Sequence, residues 1–161
     1  MKINRYLFKN KDYVASDDIV FSSEHLDPSH IKEISSCHVE VSGQDYDELL
    51  VLHFKIDAEV IGVCSYSLED VPLTVKIDTT LNFSFDEEDE DIIHIDNPIF
   101  DIDEVVYSLI VSEVPLKIVK KGAKLPNSGN GYRVMSEEEY KKENEKKTDS
   151  RWSKLDDIEL D

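Results

Sequence analysis

Leu50, Leu52, Phe54, Ile56, Ala58 and Val60 recur at every second position, with His53, Lys55, Asp57 and Glu59 between them. A period of two puts one set of side chains on a buried sheet face and the other in water, so this run predicts a strand. Leu73, Val75, Ile77, Thr79, Leu81, Phe83 and Phe85 repeat the pattern against Thr74, Lys76, Asp78, Thr80, Asn82 and Ser84. At about 3.3 Å per residue this second run would reach about 40 Å, which predicts a bulge or bend near Asp78 to Thr80. Val39, Val41 and Gly43 begin a shorter version ahead of a polar turn from Gln44 to Glu48. The three form an antiparallel meander, with Gly62 to Asp70 joining the last two. Ile92, Ile93 and Ile95 suggest a short edge strand.

The period then changes. Ile102, Val105, Val106, Leu109 and Ile110 follow the i, i+3, i+4 rhythm of a helix, with Asp101 and Glu104 as a capping box and Pro115 as the stop. This helix, Asp101 to Ser112, is expected to cover the sheet. Ser136 and Glu139 form a second capping box, opening a charged helix whose one apolar residue is Tyr140. Such a helix has no face to bury and reads as a solvent-exposed arm. Upstream, Tyr6, Leu7, Phe8, Val14, Ile19, Val20 and Phe21 suggest short strands extending the sheet, and Asp27-Pro28 a helical turn toward Ile34. The expected fold is α+β: a curved, partly closed, barrel-like antiparallel sheet covered by one amphipathic helix, with a charged C-terminal helical arm. Residues 1–120 hold the sheet and its helix, and residues 121–161 the basic loop, charged helix and tail of the same single domain.

Charge sharpens this division. The net charge is −18, but residues 1–116 carry 7 Lys/Arg against 26 Asp/Glu, whereas residues 117–154 carry 11 against 6. Lys117, Lys120, Lys121, Lys124 and Arg133 occur with no acidic residue before Glu137, so a polyanion meets repulsion elsewhere and attraction here. With Tyr132 beside them, these are the groups that contact an RNA backbone and an unstacked base. Folding of the same basic segment onto the protein's own acidic sheet is the competing reading. The acidic run, with Asp86, Glu87, Glu88 and Asp89 at its head, reads either as a solvated loop or as the seat of a cationic partner. Trp152 and Leu155, isolated in a polar tail, either dock back on the core or anchor a partner.

Enzyme signatures are missing from the sequence. The histidines lack HExxH spacing, the glycines make neither a GxxxxGK[ST] nor a GxGxxG loop, and there is no GxSxG elbow. The expectation is a non-enzymatic protein with no cofactor and no small-molecule substrate. Met1 to Asn10 interleaves Lys2, Arg5 and Lys9 with apolar residues, unlike a signal peptide, and no run approaches the roughly 18 apolar residues of a membrane span. A cytoplasmic protein without membrane contact is expected, with Cys37 and Cys64 as buried reduced thiols.

Glu113-Val114-Pro115-Leu116-Lys117, then Gly131-Tyr132-Arg133-Val134-Met135, then Asp149-Ser150-Arg151-Trp152-Ser153-Lys154-Leu155 form an ordered set. Together they resemble the YceD family of large ribosomal RNA subunit accumulation proteins, in the branch found in low-GC Gram-positive bacteria. With weaker likeness from His38 to Phe85, the resemblance covers about three quarters of the chain. It implies a role in accumulation or maturation of large-subunit ribosomal RNA. Combined with the charge split, it suggests an adaptor. In this reading Lys117 to Arg133 and Arg151 touch large-subunit ribosomal RNA or its precursor, while the acidic sheet holds a small basic ribosomal protein. A chaperone for that protein without RNA contact is the alternative, and a metal-dependent hydrolase of precursor RNA a remote one. Many family members carry Cys-x-x-Cys where this chain reads Cys64-Ser65-Tyr66-Ser67. One thiolate and a serine cannot replace two thiolates around zinc, so the resemblance does not carry a metal site to this chain.

Overall fold

The computed structural model describes residues 1–9, 13–22, 30–46, 49–85 and 92–145. In chain order these form β1 (Lys2–Asn4), a 3-10 turn (Arg5–Phe8), β2 (Tyr13–Asp18), β3 (Ile31–Tyr46), β4 (Leu49–Val63), β5 (Asp70–Ser84), β6 (Ile92–His94), β7 (Ile99–Asp101), α1 (Asp103–Glu113) and α2 (Glu137–Glu145). Two compact units divide the chain at Lys120 and Lys121.

In the first unit, β4 is the centre because its alternation is complete. Leu50, Leu52, Phe54, Ile56, Ala58 and Val60 are all buried. β3 and β5 flank it antiparallel over almost their whole lengths, giving the predicted meander. The sheet order is β2-β3-β4-β5-β6, and β1 pairs with β7 in a separate two-stranded ribbon. β6 runs parallel to β5, so the sheet is mostly rather than wholly antiparallel. The expected barrel-like closure is unconfirmed: among the described residues the order is open, with β2 at one edge and β5 and β6 at the other.

Three expectations are corrected. The β4–β5 register runs unbroken from Asp70 to Phe83, so no bulge lies at Asp78 to Thr80. The irregularities fall in β3, between Ile31 and Glu33 and between Ile34 and Ser36. Residues 31–34 are therefore strand and not a helical turn, and β3 also takes in Gln44 to Tyr46, which sequence alone reads as a turn. Asp27 and Pro28 lie outside the described residues.

Ile102, Val106, Ile110 and Val114, spaced by four, form the buried stripe of α1 and share one core with the sheet. The helix starts later than predicted, and its N-cap is Ile102 with no side-chain cap. Asp101 still accepts the N–H of Asp103, at 3.0 Å, but it is held extended by pairing with Lys2 and cannot serve as the cap itself.

After α1 the chain crosses the far end of the β4–β5 hairpin. Ile118 is buried against Gly62, where a Cβ would collide with the Ile118 Cδ1, and the Ile118 carbonyl accepts the Ser65 N–H at 2.8 Å. The strap from Pro115 to Lys120 is thereby fixed. No helix among the described residues is long and apolar enough to cross a membrane.

Candidate functional site

The strap decides what the first two basic residues can do. Lys117 Nζ lies 5.4 Å from the centre of the Tyr66 ring, within cation–π reach. Lys120 Nζ lies 3.3 Å from Glu69 Oε2. Glu69 is held below the ordinary carboxylate range, first by the Ser67 hydroxyl at 3.0 Å and then by Lys120. Both lysines therefore engage the loop between β4 and β5, as the self-docking reading expects for this part of the segment.

The same loop builds a polar nest around Cys64, whose side chain is covered from solvent. The Lys120 N–H donates to Cys64 Sγ at 3.4 Å; this bond, followed by those from the Ser67 hydroxyl and N–H, brings the thiol down to about 7. Ser67 has one hydroxyl proton, so it serves Cys64 or Glu69 at a given moment. Cys37 is also buried, and burial pushes its thiol up to about 11. Around Cys64 the nearest groups are hydrogen-bond donors with no second thiolate, which does not fit zinc. Among the described residues no three of His, Cys, Asp and Glu come close enough to hold a metal.

In the second unit the remaining basic residues stand in solvent. Lys121, Lys124, Tyr132 and Arg133 are all exposed. A tight turn presents the last two: the Tyr132 N–H reaches back to the Gly129 carbonyl at 3.4 Å, and Gly131 takes a φ of 88° that side chains disfavour. The Tyr132 ring lies where a Gly129 Cβ would be. Arg133 pairs with Glu143 of α2 at 3.3 Å, an exposed contact that a phosphate can displace. The α2 capping box forms as predicted, with Ser136 N–H to Glu139 Oε2 at 2.9 Å and Glu139 N–H to Ser136 Oγ at 3.2 Å. Asp86, Glu87, Glu88, Asp89, Arg151, Trp152 and Leu155 lie outside the described residues.

The outer face of the sheet adds an arrangement that sequence reasoning missed. Register brings Asp18, His38, Asp57 and Lys76 into one row across four strands, and Ser16, Glu40, Lys55 and Asp78 into the next. Within these rows Asp18 lies 2.7 Å from His38 Nδ1 and Asp57 2.8 Å from Lys76. His53 Nε2 lies 3.2 Å from Asp78. The face thus alternates in sign instead of being uniformly acidic. Polar positions in β3, β4 and β5 are visible in the sequence, but the register that lines them up is not.

The Asp18 hydrogen bond raises His38 above the ordinary histidine value of 6.5, with smaller help from Asp57 and Glu40. A raised folded pKa stabilises the protonated form, so the contribution is complete below 6.5 and is lost as pH rises through the elevated value. We expect the denaturation midpoint of the protein to approach that of His38→Gln as pH rises through this window. An NMR titration of His38 should return toward 6.5 in Asp18→Asn; no change in that titration would contradict the pairing.

Three comparisons complete the site. The family described as "Large ribosomal RNA subunit accumulation protein YceD" matches residues 52–159, from β4 through the Cys64 loop and the whole basic segment. A Bacillus subtilis (strain 168) protein, "Uncharacterized protein YlbN", is 32% identical over 122 residues, covering 70% of each chain. No solved structure matches.

Proposed function

This chain belongs to the YceD family, and from that premise we propose that it is a non-enzymatic factor for accumulation or maturation of large-subunit ribosomal RNA. It acts as an adaptor: Lys121, Lys124, Tyr132 and Arg133 contact the RNA, while the acidic first unit attracts a small basic ribosomal protein. The observation that carries the reading is the exposed turn holding Tyr132 beside Arg133 in a stretch free of acidic residues from Lys117 to Ser136. An aromatic ring next to a guanidinium offers stacking and phosphate pairing together. Lys117 and Lys120 anchor the segment on the β4–β5 loop and leave the contact to the residues beyond it.

The engagement of Lys117 and Lys120 by Tyr66 and Glu69 favours one second reading, an acidic chaperone for a basic ribosomal protein without RNA contact. Sedimentation of the protein with ribosomal particles in sucrose gradients separates the two. Under the adaptor reading it comigrates with large-subunit precursors and is released by salt or RNase. A protein that stays at the top of every gradient while capturing a basic ribosomal protein favours the chaperone. Reversing Lys121, Lys124 and Arg133 to Glu should weaken RNA binding by about 10-fold or more and lower the salt slope by about 2, at roughly 0.7 per single-strand phosphate contact. Unchanged affinity would remove these residues from the account.

A further inference from the structure

We propose that β5 is a homodimerisation edge, on which a second copy of this chain adds its own β5 antiparallel to extend the sheet. Among the described residues, β6 pairs with β5 only at Asn82, Phe83 and Ser84, leaving the stretch before them unpaired on that side. Leu73, Ile77 and Leu81, on the inner face of this stretch, are only half-buried, unlike the fully covered inner residues of β4.

Two hydrogen bonds identify which backbone groups are open. Glu69 accepts the Cys64 N–H, at 2.9 Å, on the β4 side, and Ser84 accepts the Ile95 N–H, at 2.8 Å, on the opposite side. Backbone groups alternate in direction along a strand, and the β4–β5 register contains no shift. Odd-numbered residues of β5 therefore bond β4, while Thr74, Lys76, Asp78 and Thr80 direct N–H and C=O outward. Pro72 is also even-numbered and sits where a missing N–H costs no ladder bond.

Charge then selects the register. A twofold axis at Ile77 sets Lys76 opposite the partner's Asp78 and Thr74 opposite the partner's Thr80, with Leu73 against the partner's Leu81 and Ile77 against the partner's Ile77. All the outward-facing pairs are ones that stabilise antiparallel neighbours. An axis at Lys76 or at Asp78 would oppose like charges. An axis at Val75 would set Pro72, without an N–H, opposite the partner's Asp78, and one at Thr79 would need Asn82, already paired with Ile92. The Ile77 register also joins the two rows of the outer face. The sequence Asp18, His38, Asp57, Lys76 continues into the partner's Asp78, the partner's Lys55 and the partner's Glu40, with alternating sign throughout once His38 is protonated.

Charged residues on an edge strand ordinarily discourage pairing. Here Lys76 and Asp78 are separated by one residue and opposite in sign, so they discourage the axes at Lys76 and Asp78 and favour the one at Ile77, while Pro72 and the Asn82 pairing exclude its other neighbours.

The test is the mass of the full chain in solution by sedimentation velocity. The wild type should show a concentration-dependent species at twice the 18.5 kDa chain mass. Lys76→Asp and Asp78→Lys should each raise the dimer dissociation constant by about 10-fold, since two cross-strand pairs change from opposite to like charge. The Lys76→Asp/Asp78→Lys double variant should restore it. Thr74→Pro removes an outward donor without touching the β4 ladder and should be monomeric, with an unchanged circular dichroism spectrum. A wild type that stays monomeric at the highest soluble concentration overturns the proposal. So does a dimer indifferent to both single reversals and to Thr74→Pro, including one held together by another surface.

Discussion

Asp45→Ala is expected to destabilise the protein by about 3–5 kcal/mol, the range for removing one partner of a buried ion pair. Arg5 leaves the 3-10 turn and reaches Asp45 near the end of β3, with Nε 2.9 Å from Oδ2 and a second guanidinium nitrogen 2.7 Å from Oδ1. The two side chains are 5% and 1% exposed, so water cannot take the place of either partner. A guanidinium does not deprotonate to escape a buried site, and the Phe85 ring, 4.9 Å away, is a weaker companion than a carboxylate. The cost therefore comes from a buried guanidinium losing its bidentate carboxylate more than from hydrogen bonds alone. Arg5→Met/Asp45→Leu removes both charges and should recover most of the loss. Urea denaturation of the two variants measures this; equal destabilisation by both would mean that packing and not charge is at stake.

Phe83→Ala should cost about 3–5 kcal/mol, as large aromatic truncations in cores do, and lower Tm by about 10 °C. Phe83 is fully buried, with its ring centroid 6.2 Å from Phe54 and 5.3 Å from Phe100. One side chain on β5 thus joins β4 to the β1–β7 ribbon, and no smaller residue can contact both. Leu81→Ala, on the same strand and face, should cost well under half as much because Leu81 is already partly in water. Thermal melts that rank the two variants equally would contradict the burial along β5.

How far the sequence could be read followed from how local each pattern is. β4, β5 and α1 declare themselves because the period of two or of roughly 3.6 survives unbroken within each. The α2 capping box needs only Ser136 and Glu139, three residues apart. β3 fails the same reading because its buried residues are Ile31, Ile34, Cys37, Val39 and Val41. Two register shifts stretch the first intervals to three, which hides the period of two, and Asp27-Pro28 upstream then suggests a helical turn toward Ile34 where the chain is strand. The parallel setting of β6 and the Arg5–Asp45 pair join positions far apart in sequence, and no local pattern encodes them. At the candidate site, composition located the basic segment. It did not separate the anchored Lys117 and Lys120 from the exposed Lys121, Lys124, Tyr132 and Arg133, because that division depends on Ile118 finding the space above Gly62.

The β1–β7 ribbon has a consequence for the order in which the chain is made and folded. Lys2 pairs with Asp101, and the Arg5 N–H donates to the Pro98 carbonyl at 2.8 Å. During synthesis the first strand emerges early and has no partner until nearly a hundred further residues have followed. The hairpins β3–β4 and β4–β5 can form in the meantime from neighbouring segments, since loop closure between adjacent strands is entropically cheap. Completion of the fold therefore waits on β7, and β1 stays without its ladder partner until that strand has been made.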